Sequence, residues 1–87
     1  MSIYDDIATL KRELPRYFDE SPSGGWATMT DLDIRPIDNQ IGIIATIRVA
    51  PGFESESKQE VIDDARMISR SYGLSHEIII KVKVYNR

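Results

Sequence analysis

Apolar side chains recur at every second position on both sides of Asp38-Asn39, and this alternation constrains the chain more than any other feature. Before the break, Leu32 and Ile34 share one parity while Asp31, Asp33 and Arg35 take the other. After it, Ile41, Ile43, Ala45, Ile47 and Val49 fall together against Gly42, Thr46 and Arg48. A period of two with one wet side is the pattern of half-buried strands. Asp and Asn both tolerate the positive φ that a two-residue type I′ turn demands. A two-residue loop pairs Ile34 with Ile43 and Leu32 with Ala45, so both apolar sets lie on one side of a hairpin. A three-residue loop would set wet positions against dry ones. Pro36 has no N–H to give to a ladder, which makes the first strand an edge.

The rest of the chain predicts two helices and a third strand. Ser2 is an N-cap with Asp5 three residues on in the place of a capping-box acid, so a helix is expected from Ile3. Ile3, Ile7, Leu10 and Leu14 form its apolar stripe, with Asp6, Lys11, Arg12 and Glu13 on the other face. Pro15 cannot donate to Lys11 and restricts Leu14, so the helix is expected to end or kink there. The aperiodic residues 19–25, rich in Ser, Pro and Gly, read as a flexible loop. Beyond Pro51-Gly52, Ser57 and Glu60 match a capping box, and Val61, Ile62, Ala65, Ile68 and Tyr72 give a second helix its buried stripe. Gly73 suits the left-handed position after that helix, with Leu74 folding back on Ile68. Ile78, Ile80, Val82 and Val84 then alternate with Glu77, Ile79, Lys81, Lys83 and Tyr85 in the clearest strand pattern of the chain.

The order α-β-β-α-β implies an α+β fold. A right-handed crossover makes the third strand parallel to the second, giving a three-stranded mixed sheet of order 1-2-3. Both helices have an apolar stripe to bury, so they are expected to share one face of the sheet and leave the other open. At 87 residues the chain makes a single domain over 1–87. The order resembles, in topology alone, BON-type domains, the ring-building motifs of secretion assemblies and the type II KH fold. The motifs of these families are not in the sequence: a GxxG loop is missing, and Ser57 to Tyr72 reads as one helix where the KH fold needs two.

The absence of cysteine removes disulfides, thiolate nucleophiles and Cys-ligated zinc, and the single His76 leaves no His-rich metal site. No apolar run approaches the roughly 20 residues that span a bilayer. The start, Met1-Ser2-Ile3-Tyr4-Asp5-Asp6, lacks the basic and apolar segments of a secretory signal, so a cytoplasmic protein is expected. His76 beside Glu77 has the residue types of an oriented general base, but a lone histidine at a strand entrance is ordinarily a solvated loop residue. Glu56, Glu60, Asp63 and Asp64 offer the oxygens a hard cation wants, yet consecutive residues on a helix point about 100° apart, and a solvated face is the simpler reading. Ser23-Gly24-Gly25 is followed by no lysine, unlike a phosphate cradle. Trp26, with Tyr17 and Phe18, reads as an aromatic cap over the end of the core. No cofactor, metal or catalytic constellation is expected.

Charge is unevenly spread although its sum is only −3. Glu54 to Asp64 carries five acids against Lys58, and Arg66 to Arg87 carries five bases against Glu77. On the open face Arg48, Lys81, Lys83 and Tyr85 could hold a nucleic-acid backbone, but Asp31 and Asp33 share that face and the sequence pI is near 5.0. Ile44, Ile79 and Tyr85, with Met29, add an apolar patch to it. The expectation is therefore a protein–protein interaction module binding another protein or itself. Its contact residues are Ile44, Arg48, Ile79, Lys81, Lys83 and Tyr85, and the third strand offers a free edge. The alternatives are a weak single-strand nucleic-acid binder and a small-molecule-binding subunit or enzyme with a pocket near residues 19–26.

Overall fold

The Asp5 amide donates to Ser2 Oγ at 3.3 Å and opens helix α1, Ile3–Glu20, in a computed structural model that describes residues 2–87. The helix does not stop at Pro15. It runs five residues further because Leu14 and Phe18, 0% and 1% exposed, continue the stripe of Ile7 and Leu10 into the core. An interior proline costs a helix about 3 kcal/mol, and burying a phenylalanine returns about 2–3 kcal/mol. Asp19 and Glu20 therefore belong to α1. Pro22–Gly25 form a single 3-10 turn with Ser23 buried, and a Cβ on Gly24 would collide with the Asp19 carbonyl.

Strands β1, Ala27–Ile37, and β2, Gln40–Val49, pair antiparallel, with Ile34 opposite Ile43 and Leu32 opposite Ala45 as the alternation requires. The loop has two residues, but only Asp38 enters the positive-φ region, at 55°, so the turn is not type I′. The register shifts between Met29 and Asp31, where Thr30 is an extra residue in β1. This bulge reverses parity, so Ala27 and Met29 lie on the dry side with Leu32 and Ile34. Met29 is thus half-buried against both halves of the core and not part of the open face.

Helix α2, Glu54–Ser71, starts three residues before Ser57. No capping box forms: Ser57 is fully buried within the helix, and its Oγ has no partner. The stripe that drives α2 into the core reaches back through Ser57 to Phe53, at helical spacing from Val61, Ala65 and Ile68. Phe53 stacks on Trp26 with ring centroids 4.6 Å apart, which begins the helix early. Tyr17 packs with the other half of the core, so it does not join that aromatic pair. At the far end the Leu74 amide donates to Ser69 O at 2.9 Å and the Gly73 amide to Arg70 O at 3.3 Å. With Gly73 at φ 63°, this is a Schellman stop, and Leu74 packs on the cluster containing Ile68.

Strand β3, Ile78–Asn86, lies parallel to β2, from Ile41 opposite Ile78 to Val49 opposite Asn86, and the sheet order is β1-β2-β3. Both helices cover one face, and the core lies between the two layers. The bulge is directly testable. Met29→Asp is expected to cost about 2–3 kcal/mol in chemical denaturation, as for a carboxylate forced into an apolar core, while Asp31→Ser stays within about 0.5 kcal/mol.

Candidate functional site

The uncovered face of the sheet is an ordered array. Across the strands, the rows read Arg35–Gly42–Ile79, Asp33–Ile44–Lys81, Asp31–Thr46–Lys83 and Thr28–Arg48–Tyr85. All six expected contact residues, Ile44, Arg48, Ile79, Lys81, Lys83 and Tyr85, stand on this face and are exposed or nearly so. Ile37 joins them. It continues the parity of Asp33 and Arg35 past Pro36, a signal present in the sequence, and its side chain lies across Gly42, where a Cβ would collide with Ile37 Cδ1. The missing side chain at Gly42 leaves a shallow depression of about 210 Å³ between Ile37, Ile44 and Ile79, rimmed by Asp33, Arg35 and Lys81. Ile37, Ile44, Ile79 and Tyr85 are 46%, 36%, 49% and 52% exposed. On this face Arg35 Nη2 donates to Asp33 Oδ2 at 2.6 Å.

The acids expected on solvated helix faces are in several cases buried along the seam between α1 and the end of α2. Asp6 is fully buried. Its Oδ2 accepts from the Ser75 amide at 3.2 Å and lies 2.7 Å from His76 Nδ1, while Oδ1 has no partner. His76, with a side chain only 15% exposed, is therefore oriented by Asp6 and not by its neighbour Glu77. Sequence separation hides this pair, which ties the start of α1 to the α2–β3 connection. His76 also lines an open cleft of about 450 Å³ with Arg66 and Arg70. Glu13, likewise buried, is bonded by Arg16, by the Tyr72 hydroxyl at 2.8 Å and by Arg12 at 3.0 Å. These partners, Arg16 first, hold its carboxyl down at about 2, and Glu13 in turn raises the Tyr72 phenol above its ordinary range.

Asp64 is 4% exposed, and its Oδ2 has no hydrogen-bond partner. Burial, reinforced by Glu60 and Asp63, pushes its carboxyl up to about 7. The stripe that buries Val61, Ala65 and Ile68 carries Asp64 inward with it, so this residue is not on a solvated face. Among the described residues no group of three or more His, Asp or Glu gathers into a metal site, and no helix is long and apolar enough to cross a membrane. Two open clefts of about 420 and 490 Å³ flank the 3-10 turn, one lined by Tyr17, Glu60 and Asp64, the other by Trp26, Glu56 and Asp63.

Comparison with protein-family models, with curated proteins and with solved structures gives no match for this chain. The arrangement of its own residues is what bears on function.

Asp64 and Glu13, shifted in opposite directions, predict a stability optimum with separable limbs. Between the ordinary 3.8 and about 7, the folded chain keeps a proton on Asp64 that the unfolded chain releases, so stability falls as pH rises through this window. Asp64→Asn removes that limb and is expected to stabilise the domain at pH 8 by on the order of 2–4 kcal/mol. Glu13 acts oppositely: its stabilising contribution is present above the ordinary 4.5 and is lost as pH falls toward about 2. Glu13→Gln is therefore expected to flatten the acid limb, as read by denaturant titration at each pH.

Proposed function

We propose that this chain is a non-catalytic protein–protein interaction module that engages its partner through the open face of the sheet, with the free edge of β3 beside it. One observation carries the reading: Ile37, Ile44 and Ile79 converge, exposed, on the depression above Gly42 inside a charged rim. An apolar centre surrounded by charge is the anatomy of a protein interface, in which the centre supplies affinity and the rim supplies orientation. A sheet face that only had to stay in water would carry polar residues at these positions. The acids Asp31 and Asp33 on the same face weigh against a nucleic-acid backbone as the partner, since carboxylates repel phosphates.

A photo-crosslinking residue introduced at Ile44 or Ile79 tests the reading in native extract, with the exposed helical position Lys58 as control. Adducts are expected from the two face positions and not from the control. Their mass separates a second copy, at twice 9.9 kDa, from a different protein. Adding Ile79→Lys and Tyr85→Ser to the Ile44-labelled chain is expected to abolish the adduct while far-ultraviolet circular dichroism stays unchanged. Equal labelling from Lys58, or no adduct from either face position, would remove the proposal.

A further inference from the structure

Resting on that reading, we infer that the partner is a second copy of this chain, docked face to face about a two-fold axis close to parallel with β2. The argument is the placement of charge. In adjacent rows of the open face, β1 contributes Asp33 and Asp31 while β3 contributes Lys81 and Lys83, with the uncharged Ile44 and Thr46 of β2 between them. Neighbouring strands lie about 4.8 Å apart, so the acidic and basic columns stand roughly 10 Å from each other with Ile44 and Thr46 between them, a gap that no ion pair bridges. Accordingly, Asp31, Lys81 and Lys83 make no ion pair among the described residues, and the only pair on the face is Arg35 with Asp33, within one strand. Asp31 and the two lysines are left open.

A two-fold axis running along β2 lays the β1 column of one copy over the β3 column of the other, row upon row. Asp33 then meets Lys81 of the second copy and Asp31 meets its Lys83, each contact occurring twice, while Ile44 packs on its own counterpart at the centre. The alternatives are worse. An axis across the strands sets acids against acids and lysines against lysines. Antiparallel pairing of two β3 edges extends the sheet but brings the two lysine columns side by side, which opposes like charges. Face-to-face sheets cross at about 30°, so the ends diverge. The two Arg48 side chains, four residues along β2 from Ile44, are thereby separated by roughly 7 Å sideways and reach solvent.

The area sets the strength. Three strands of about ten residues present roughly 450 Å² per copy, or about 900 Å² in all, at the low end of specific interfaces. A micromolar or weaker dimer follows, sensitive to salt because its complementarity is electrostatic.

Charge exchange tests this in sedimentation experiments on the 87-residue chain, at protein concentrations from about 10 µM to 1 mM and at low and high sodium chloride. The wild type is expected to dimerise, more weakly at high salt. The D31K/D33K variant makes both outer columns basic and K81D/K83D makes both acidic, so each alone is expected to associate at least about tenfold more weakly. Mixed in equal amounts, the two are expected to form a heterodimer with affinity restored, an outcome that no unfolding artefact produces. A wild type monomeric throughout, variants that dimerise like the wild type, or a mixture that stays monomeric would each overturn the inference. Binding of a labelled single-stranded oligonucleotide by a monomeric wild type would overturn it in favour of nucleic acid. A monomer that still gives a crosslink from Ile44 to a different protein would overturn self-pairing alone, whereas a monomer without any such crosslink defeats the interaction reading as well.

Discussion

Which side chains of β1 join the core and which join the open face depends on the register of one hairpin, and that register is held at two points. At one end the turn at Asp38-Asn39 joins β1 and β2 with two residues, Asp38 taking the left-handed conformation at φ 55° that its short polar side chain tolerates. Near the other end the bulge at Thr30 shifts the pairing by one residue. The turn puts Leu32 and Ile34 on the same side as Ile43 and Ala45. The bulge then turns Met29 and Ala27 back to that side after an interruption that strict alternation would have carried into water. Without either device, half of β1 would present its apolar residues to solvent and its charges to the helices.

Against that dry side the helices pack through apolar stripes flanked by acids, and the acids are handled in two different ways. Asp6 and Glu13 are supplied with donors from the far end of α2 and the segment after it: Ser75, His76 and Tyr72. These contacts fasten α1 to the α2–β3 connection and so help to orient β3 alongside β2. Asp64 has no such donor, and the fold accommodates it by favouring its neutral form. A carboxyl carried into the core by the helical stripe around it is therefore a cost that grows with pH, set against the paired acid Glu13, whose contribution is lost only in strong acid. The two effects bound the pH range in which the domain is firmest.

Covering one face of the sheet commits the other to water or to a partner. The covered face is filled from both helices, whereas the open one has no element over it, and its two central rows are sorted by strand: Asp33 and Asp31 on β1, Ile44 and Thr46 on β2, Lys81 and Lys83 on β3. Sorting by strand differs physically from alternation of sign along a strand. It leaves Asp31, Lys81 and Lys83 without an ion pair among the described residues and presents complementary columns outward. The apolar depression above Gly42 lies at one end of the same array.

Local chemistry made much of this legible. The hairpin pairing, the start of α1 at Ser2, the Schellman stop at Gly73, the sheet order and the membership of the open face from Ile44 to Tyr85 follow from periodicity, caps and parity, each decided by residues near one another in the chain. The type of the turn at Asp38-Asn39 aside, the misread features share one property. Pro15 inside α1, the early start of α2 at Glu54, the inward turn of Met29, and the burial of Asp6, Ser57 and Asp64 all depend on what a segment packs against. Phe18 outweighs Pro15, Phe53 on Trp26 outweighs the Ser57 cap, and Asp6 meets His76 across 70 residues. The sequence by itself thus determined the elements, their order and the pairing register, because backbone hydrogen bonding and side-chain alternation are short-range. Tertiary structure alone decided where α1 ends, where α2 begins and which carboxyls lose their water, because burial energy is assigned only when distant segments meet.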